Sequence, residues 1–533
     1  MARQIEGYDY VVVGGGSAGC VLAARLSERP ELRVLLLEAG GRDWSPLLHI
    51  PAAAFLPVGG QRSRWTYATA PQDGLDGRVL GEVRGRTLGG TSAINGMLYC
   101  RGEAADYDGW AANGAPGWAY DDVLPYFLKS EGHVTAGAPY HGTAGPVRVS
   151  RAPIANPLAR RWIDAAMQAG HRFNEDINGQ ERLGVGPSDW TCASGRRASA
   201  AVAYLRTARR RPNLTIRTHA LASRILIEQG RAQGVAYLRH GREERVHADR
   251  EVILAAGAIQ SPQLLMLSGI GPAAQLKAFG IATAVDLPGV GANYHDHVGA
   301  SVLVGTHGEG SAYRYFSPGS AMVEGLRYVF RGKGALAEPP LEAVGVFRSG
   351  EGPDIGPDLK LGFIPIMVRA SEGLVRQHGF MTRICMTKPA SRGFICLRSA
   401  SPADPPIIDA RYFAEEVDLR RTRAGVRIAR AIIAQRAFDD VRGEELAPGP
   451  GATGDDDLDR FLRWTAEPDY HGAGSCRMGR DSHAVVDETL AVHGIAGLRI
   501  ADASIMPTVP SGNTNAPVMM IGEKAADLIL RSA

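Results

Sequence analysis

The sequence predicts an α/β fold with two parts: a Rossmann-like dinucleotide-binding domain, and an α+β domain built on an antiparallel sheet. The first part is indicated by residues 8–40, where the apolar run YDYVVV, a glycine-rich turn, the helical pattern CVLAARLSE and a second apolar run, RVLLLEAG, form a βαβ unit. The second part is indicated by residues 300–465, where short strand patterns mix with helices and no glycine fingerprint occurs.

Further patterns along the chain set the predicted domain boundaries. Strand patterns return at 213–256, and a helix that we expect to start at Ser261-Pro262 follows them. The C-terminal segment again shows an α/β pattern, with a predicted strand in GLRIADAS followed by an amphipathic helix. A chain of 533 residues is long enough for two domains. We therefore predict a dinucleotide-binding domain assembled from 1–155, 200–300 and 466–533, and a substrate-binding domain of 301–465 with part of 156–199.

The overall composition excludes several classes of partner and location. A formal net charge of +3 is too small to indicate nucleic acid as a partner. The six cysteines are scattered without a repeated spacing, which favours reduced thiols over a disulfide framework. The N-terminus enters a strand almost at once, and no apolar run approaches the roughly 20 residues of a membrane span. We therefore expect a cytoplasmic protein without a secretory signal or a transmembrane segment.

One segment leaves contact with a membrane surface open. AMVEGLRYVF (321–330) is amphipathic and is flanked by Arg331 and Lys333, as in helices that lie in a lipid interface. A buried helix or an ordinary surface helix is the favoured interpretation. The alternative is a protein that is peripheral on the inner face of the membrane.

The strand–turn–helix unit carries a dinucleotide-binding motif. Glycines in GGGSAG follow the first strand, and an acid closes the second strand. The glycines let a pyrophosphate approach the helix N-terminus, and the acid accepts a hydrogen bond from a ribose hydroxyl. The motif alone does not separate FAD from NAD. The residues predicted to contact the dinucleotide here are Gly14, Gly16, Ser17, Ala18, Gly19, Glu38 and Ala39.

A second glycine-rich segment, RGRTLGGTSAINGMLYCRG (84–102), offers backbone donors that can wrap an extended dinucleotide. This segment, GAIQSPQLLMLSGIG at 257–271 and the tail ADASIMPTVPSGNTNAPVMMIGEKAADLI at 501–529 resemble signature stretches of the glucose–methanol–choline (GMC) flavoprotein oxidoreductases. The resemblance extends over essentially the whole chain and is closest in character to bacterial choline-dehydrogenase-like and alcohol dehydrogenases. It implies the GMC oxidoreductase fold and bound FAD.

The resemblance also assigns further residues to the cofactor. Asn95 to Leu98 should line the flavin, and Ala222 should meet the adenine through its backbone. Some members tether FAD through a histidine just before the loop asparagine, but Ile94 stands there, so noncovalent FAD is implied. The cofactor contacts implied in this way are Trp65, Arg86, Gly90, Ser92, Asn95, Gly96, Met97, Leu98, Ala222, Tyr470, Asp502, Ala503 and Asn513.

Two residues are predicted to carry the chemistry. In the family, a histidine in a His-Pro-x-Gly type stretch lies over the reacting face of the flavin, and His471 in EPDYHGAGSCRMG occupies that place, with Gly472 where a proline is expected. Its family partner, a histidine or an asparagine, corresponds to Asn515 in GNTNAP. A neutral imidazole is a suitable base for an alcohol proton, and an amide donor holds a developing alkoxide without competing as a base.

These residues predict oxidation of a primary alcohol or polyol to its aldehyde or ketone, with a hydride passing to flavin N5 and electrons then to oxygen, a quinone or another acceptor. A GMC-fold lyase, or a flavin-binding protein without redox activity, is the alternative. The substrate pocket is assigned to apolar residues in LGFIPI, namely Phe363, Ile364 and Pro365, which suit an aliphatic or aryl alcohol better than a sugar.

Two other candidates are interpreted as structural. His295-Asp296-His297 has metal-ligand residue types, but it follows a turn-rich stretch and has no third ligand nearby in sequence, so we predict a loop that supports the FAD domain and no metal site. Cys476 lies five residues beyond His471 without any motif that would present it as a nucleophile, and it is expected to pack in the interior.

Overall fold

The computed structural model describes residues 6–55, 63–308, 310–369 and 373–532. The α-helices in these ranges are α1 (Ser17–Leu26), α2 (Ala104–Ala112), α3 (Tyr120–Ser130), α4 (Pro157–Gln168), α5 (Arg206–Ala208), α6 (Gly257–Leu267), α7 (Ala273–Ala278), α8 (Pro318–Arg331), α9 (Glu416–Ile433), α10 (Asp455–Thr465) and α11 (Asn515–Ser532). The strands of the two largest sheets are β1 (Glu6–Val13), β2 (Val34–Leu37), β3 (Gly184–Pro187), β4 (Leu214–Arg217), β5 (Leu221–Glu228), β6 (Arg231–Arg239), β7 (Arg242–Leu254), β8 (Val298–Gly299), β9 (Ser301–Thr306), β10 (Ala343–Phe347), β11 (Leu359–Ile364), β12 (Gly379–Met386), β13 (Arg442–Ala447), β14 (Glu467–Pro468) and β15 (Leu498–Ile500).

The first sheet is the parallel sheet of a Rossmann-like fold. Its order is β4–β2–β1–β7–β6–β5, and β15 pairs with β7. The pairs β4–β2, β2–β1, β1–β7 and β7–β15 are parallel, whereas β5, β6 and β7 form an antiparallel extension. Strands buried on both faces are apolar throughout, as VVV in β1 and VLLL in β2 are. The predicted α/β fold with a βαβ unit is confirmed.

The second sheet is antiparallel, with the order β13–β9–β12–β11–β10–β3, and β8 pairs with β12 and β14. Helix α9 packs on it so closely that a Cβ added at Gly425 would lie 2.5 Å from Ile384. The predicted α+β part is confirmed. The sheet also takes in β3, β8 and β14, which come from segments outside 301–465, so strands of one sheet are contributed by distant parts of the chain.

Two helices differ from their predictions. Helix α6 begins at Gly257, four residues before the predicted start, and Pro262 lies inside it. The reason is tertiary: the Asp502 side chain accepts hydrogen bonds from the Gly257 N–H at 2.9 Å and from Ser261 Oγ at 2.6 Å, and so caps the earlier turn. Helix α8 covers the amphipathic segment 321–330, and none of its residues is buried, so the buried-helix interpretation is wrong. Within the described ranges, every helix is too short or too polar to cross a bilayer.

Candidate active site

A cavity of about 700 Å³ is lined by residues of both large sheets. At one end it meets the carboxyl ends of β1 and β2, where Gly14 and Glu38 lie, and at the other end it meets Lys360, Gly362 and Ile364 of β11. Ligands of parallel α/β sheets bind outside the carboxyl ends of the strands. The cavity therefore joins a dinucleotide site to a second site on the antiparallel sheet.

Glycines bring three backbone segments into contact at the first end of the cavity. A Cβ at Gly14, whose φ is +105°, would lie 2.5 Å from the Ala255 carbonyl oxygen, and one at Gly19 would lie 1.8 Å from the Gly14 oxygen. A Cβ at Gly90 would lie 2.7 Å from Gly16 Cα, so the second glycine-rich segment rests on the first turn. Only glycine permits this approach, which leaves backbone groups free to face a ligand.

Glu38 is held at the end of β2 by two backbone donors. Its Oε2 accepts from the Gly15 N–H at 2.9 Å, and its Oε1 accepts from the Gly40 N–H at 2.7 Å. Burial raises the pKa of Glu38 to about 7, although these two hydrogen bonds oppose the shift. A carboxylate has about four acceptor sites, so capacity for ribose hydroxyls remains.

Three helix N-termini converge on the cavity, those of α1, α6 and α11, and Ser17, Gly257 and Asn515 at their starts all line it. Helix N-termini carry partial positive charge and free N–H groups, which favour a pyrophosphate or another anion. Asn515 Oδ1 accepts from Ser17 Oγ at 2.9 Å, which joins the starts of α1 and α11. The amide oxygen of Asn515 is therefore committed to α1, and within the described residues no hydrogen bond joins the Asn515 side chain to His471. The catalytic role of Asn515 stays a prediction.

The amide beside His471 belongs to Asn513, two residues earlier. Asn513 Nδ2 lies 2.9 Å from His471 Nε2, and Asn513 Oδ1 accepts from Lys360 Nζ at 2.7 Å. An ammonium group can only donate, so Lys360 fixes which end of the amide faces it, and the Asn513 NH₂ group must point at His471. His471 Nε2 consequently accepts and carries no proton.

The second ring nitrogen of His471 completes this arrangement. His471 Nδ1 lies 3.0 Å from His297 Nδ1, and the rings meet edge to face with centroids 5.0 Å apart. Since His471 Nε2 is unprotonated, neutral His471 carries its proton on Nδ1 and donates it to His297. The lone pair of His471 is then on Nε2, where it accepts from Asn513, so a substrate hydroxyl would displace this hydrogen bond when it binds.

Charges and burial around the two rings favour the neutral forms. Burial lowers the pKa of His471 well below its usual value, and the neighbouring His297 ring and the Lys360 ammonium are lesser causes of the same shift. Burial and Lys360 lower the pKa of His297 to about 3. Asp469 opposes both shifts. Burial is the largest influence on Asp469 and would raise its pKa, but Arg383 together with smaller contributions such as that of Lys360 outweighs burial, so the pKa is lowered and Asp469 stays ionised. The imidazole at this site is therefore a base that is ready to accept a proton at neutral pH.

The segment 295–297 contacts His471 through two of its side chains. Asp296 Oδ1 accepts from the His471 N–H at 2.7 Å, and His297 contacts the His471 ring. The third side chain ties the segment to the loop before α11, since His295 Nε2 accepts from the Val509 N–H at 2.8 Å. No third ligand type lies near His297 in sequence, but one lies near it in space. Cys385 Sγ, His297 and His471 have ligand atoms within 4.8 Å of one another, although the two Nδ1 atoms are already paired with each other.

Gly472 departs from the proline that the family pattern leads one to expect, and the structure explains the departure. A Cβ at Gly472 would lie 2.3 Å from the hydroxyl of Tyr294. Tyr294 is fully buried, so a proline ring would have no room there.

The predicted cofactor residues mostly line the cavity. Those that do are Gly14, Gly16, Ser17, Ala18, Glu38, Ala39, Trp65, Gly90, Asn95, Gly96, Met97, Leu98, Ala222, Tyr470, Asp502, Ala503 and Asn513. The other three, Gly19, Arg86 and Ser92, do not line the cavity. Gly19 permits close packing of the first turn, the Arg86 guanidinium stacks on Trp65 at 4.2 Å, and Ser92 Oγ bonds to the Gly89 carbonyl.

One of the three residues predicted for the substrate pocket lines the cavity. This residue is Ile364, whereas Phe363 faces the opposite side of the sheet, where it packs against Trp162 and Phe380. Successive side chains of a strand alternate between its faces, so Lys360 and Ile364 cannot share a face with Phe363. Pro365 follows the strand and is not part of the lining.

Three residues of the site were missed by the sequence interpretation: the amide of Asn513 as partner of His471, Lys360, and His297 as a ring contact. Period-two spacing in DLKLGFI could have placed Lys360 on the face of Ile364. Nothing in GNTNAP separates one asparagine from the other, and the contact with His297 joins positions 174 residues apart.

The cavity fits an extended dinucleotide. It runs from Glu38 and Ala222 at one end to His471 and Asn513 at the other, and three helix N-termini and a glycine cradle lie along it. Within this cavity, the glycine turns would hold the pyrophosphate, and His471 would face the reacting group of the cofactor.

Comparison with known proteins shows one family over most of the chain. The GMC oxidoreductase family models match residues 8–299 and 389–522. The oxygen-dependent choline dehydrogenases of Burkholderia lata and Burkholderia cenocepacia are each 44% identical over 528 residues, which cover 98% of this chain and 93% of theirs.

Solved structures of the same kind superpose closely. Pyridoxine 4-oxidase from Mesorbium loti has a TM-score of 0.89 and 33% identity, with 98% of this chain and 99% of that chain covered. A formate oxidase from Aspergillus oryzae has a TM-score of 0.93 and 28% identity, with 99% and 98% covered. These relatives are dehydrogenases and oxidases, and they give the lyase alternative no support.

Proposed function

Because this chain belongs to the GMC oxidoreductase family, whose FAD-dependent members oxidise the CH–OH group of an alcohol, we propose that its substrate is an uncharged, mainly apolar primary alcohol and that His471 is the base. The observation that carries the proposal is the chain of contacts from Lys360 through Asn513 to His471, set in an apolar wall. Asn513 replaces Asn515 as the proposed amide partner.

The residues divide the reaction between them. His471 Nε2 takes the proton of the substrate hydroxyl, and the Asn513 NH₂ group donates to the oxygen as negative charge develops there. When bound, FAD supplies the acceptor for the hydride that leaves the carbinol carbon. The alcohol thus loses a proton and a hydride and becomes an aldehyde. Electrons are then expected to pass to oxygen or to a quinone, which comparison of the two acceptors in steady-state turnover would test.

The wall around Lys360 supports an uncharged substrate. Apolar side chains line this end of the cavity, among them Leu341, Val344, Ile364 and Met381. The cavity is also lined by Arg383, Glu467 and Asp469. Lys360 is buried, and in the described parts of the chain no carboxylate lies within ion-pair distance of it, whereas Arg383 pairs with Asp469 at 2.6 Å. A quaternary ammonium such as choline would bring a second cation toward Lys360, which costs free energy in a low-dielectric site.

A pair of isosteric alcohols tests this preference. Choline and 3,3-dimethylbutan-1-ol have the same shape but differ by one positive charge. Anaerobic flavin reduction should be at least about tenfold more efficient with the neutral alcohol, which corresponds to roughly 1.4 kcal/mol. Lys360→Met should reduce the difference in flavin-reduction efficiency between the two alcohols. Lys388→Met, which removes a lysine paired with Glu103 at 2.6 Å, should leave this difference unchanged. Faster reduction by choline in the wild type would overturn the proposal.

Noncovalent FAD is part of the same proposal. Ile94, which lines the cavity where some members carry a tethering histidine, has no nucleophilic atom. Acid precipitation should release all of the yellow colour as intact FAD into the supernatant. Flavin that stays with the precipitated chain would contradict noncovalent binding.

A cytoplasmic location also stays a prediction, which cell fractionation would check.

A further inference from the structure

Helix α8 has its apolar face turned toward solvent. Met322, Val323, Leu326, Val329 and Phe330 recur with the spacing of one helix face, and their exposed fractions are 64%, 57%, 51%, 75% and 80%. With Phe316 just before the helix, this segment holds six of the fifteen large hydrophobic side chains that are exposed in the described ranges. Exposed apolar groups are thus concentrated on one helix.

The polar side of α8 faces the protein. Glu324 accepts a hydrogen bond from the Ala335 N–H at 2.7 Å, and the Tyr328 hydroxyl donates to the Gly195 carbonyl at 3.0 Å. An ordinary surface helix buries its apolar stripe and exposes its polar one. The reversed orientation of α8 is anchored by specific contacts, so the outer face is built to be covered by something else.

Basic residues border this apolar face. The stretch 312–333 contains Arg314, Arg327, Arg331 and Lys333 and one acid, Glu324, which is paired with Arg327 at 3.5 Å. Arg314, Arg331 and Lys333 are exposed. An apolar face of Met, Val, Leu and Phe with arginine and lysine at its edge is the composition of helices that lie in the interface of an anionic bilayer.

We propose that α8 docks this enzyme onto an anionic lipid surface, with its apolar face in the boundary between headgroups and acyl chains. Charge complementarity favours lipid over a second copy of the chain. A twofold contact through this face would place the basic edges of the two copies near each other without opposing acids, whereas anionic headgroups would neutralise them.

Docking there would bring the membrane near the substrate end of the cavity. The chain that leaves α8 bonds through the Leu336 carbonyl to the Ala52 N–H at 3.3 Å, and five residues later Leu341 lines the cavity. An apolar alcohol or a quinone dissolved in the bilayer would therefore be delivered close to the site. The docking itself does not depend on which alcohol is oxidised.

Vesicle flotation of the FAD-loaded enzyme tests the proposal without turnover. The probes are vesicles of phosphatidylcholine alone and of an equimolar mixture with phosphatidylglycerol. Wild type should float with the mixed vesicles, and binding should weaken as salt is added, because the basic edge is screened. Binding should be much weaker to phosphatidylcholine alone.

Two sets of variants identify the surface. The double variant Val329→Ser/Phe330→Ser should bind at least about tenfold more weakly, since it removes two exposed apolar side chains. Arg331→Gln and Lys333→Gln should each weaken binding roughly fivefold. Trp464→Ser is the matched control, because Trp464 is 74% exposed but belongs to another helix, α10, and its loss should leave vesicle binding unchanged.

Unchanged flavin content and unchanged turnover of a soluble alcohol without vesicles would show that the variants are folded. Two results would overturn the proposal: wild type that does not float with either vesicle, or a Val329→Ser/Phe330→Ser protein that floats as well as wild type. A wild-type dimer that this double variant converts to a monomer, without vesicle binding, would assign the face to a protein contact instead.

Discussion

Two pairs of histidine rings in this protein have nearly the same geometry and opposite electrostatics. His297 and His471 meet edge to face with centroids 5.0 Å apart and planes at 79°, and His133 and His141 meet at 4.8 Å and 69°. In the first pair, His471 lines the cavity and is the proposed base. The second is buried beside the short strands 131–133 and 147–151.

The groups around each pair set its protonation. Both ring nitrogens of His141 face carboxylates, Glu131 and Asp176, each at 2.9 Å, and only an imidazolium has two N–H groups to donate. Burial alone would lower the pKa of His141, but the two carboxylates outweigh it and raise the pKa to about 9. His471 faces an amide donor and a neutral ring, so it stays neutral. The edge-to-face contact therefore does not determine the protonation state of a histidine, whereas its hydrogen-bond partners do.

The largest expected effect is on the rate of flavin reduction, which should respond to a change in one histidine pair and not in the other. His471→Ala should slow anaerobic flavin reduction roughly 10²–10⁴-fold, because the base is lost while the cofactor contacts remain. His141→Ala, as the control, should reduce its flavin at the wild-type rate. Stopped-flow absorbance measures both, with FAD content determined beforehand. A wild-type rate in His471→Ala would remove the histidine from the mechanism.

Stability should show the reverse pattern. His141→Ala removes the buried partner that Glu131 and Asp176 share. The two carboxylates keep Arg101 and Arg151 as partners, so the free energy of unfolding should fall by roughly 1–3 kcal/mol. His471→Ala should cost much less, since the lost ring carries no charge. Denaturant unfolding of the FAD-loaded proteins measures the difference. Equal losses in the two variants would mean that the surroundings of the pairs do not differ as described.

Asn513 and Asn515 should likewise differ, one affecting mainly the rate of flavin reduction and the other mainly stability. Asn513→Ala should cost about 1–3 kcal/mol of barrier in flavin reduction, because it removes the donor to the developing alkoxide. Asn515→Ala should leave the rate near that of wild type and should weaken the junction of α1 and α11, which thermal unfolding reports. A larger rate loss in Asn515→Ala than in Asn513→Ala would restore the original assignment.

The pH dependence of reduction tests the neutral state of His471. The base must start unprotonated, and its pKa is lowered, so the rate should be level around neutral pH and fall only in acid. Lys360→Met removes one cause of the lowering, so the fall should move to higher pH, whereas Lys388→Met should leave it in place. A wild-type rate that falls already at pH 7 would contradict this.

The smallest expected effect is on stability against pH. The folded pKa of His141, about 9, lies above its ordinary 6.5, so its contribution is full below pH 6.5 and is lost as pH rises through 9. The folded pKa of His297, about 3, lies below 6.5, so its contribution is present above pH 6.5 and is lost as pH falls toward 3. Asp176→Asn should weaken the alkaline loss, and it should also remove the loss in acid that Asp176 itself contributes, because the folded pKa of Asp176 is lowered. Melting temperatures across pH would show it.

Local patterns were sufficient for much of this protein. The βαβ unit, the glycine turn, Glu38 and His471 are all read from neighbouring residues, because burial on both faces makes strands apolar and close backbone approach requires glycine. The resemblance to the GMC family supplied the fold, the cofactor and most lining positions. Period-two spacing alone would have separated Phe363 from Ile364.

Contacts between distant segments were decided only by the tertiary structure. Lys360, from the second sheet, orients the Asn513 amide toward His471, and nothing in GNTNAP itself indicates this choice of asparagine. In the same way, the start of α6 depends on Asp502, which is 245 residues away in sequence. The protonation of His471 and His141 depends on partners that no local pattern contains. The sequence by itself determined which elements form and where the cofactor turn lies, since those follow from residues a few positions apart. The fold decided which polar groups meet, since each hydrogen bond joins atoms that only packing brings within about 3 Å.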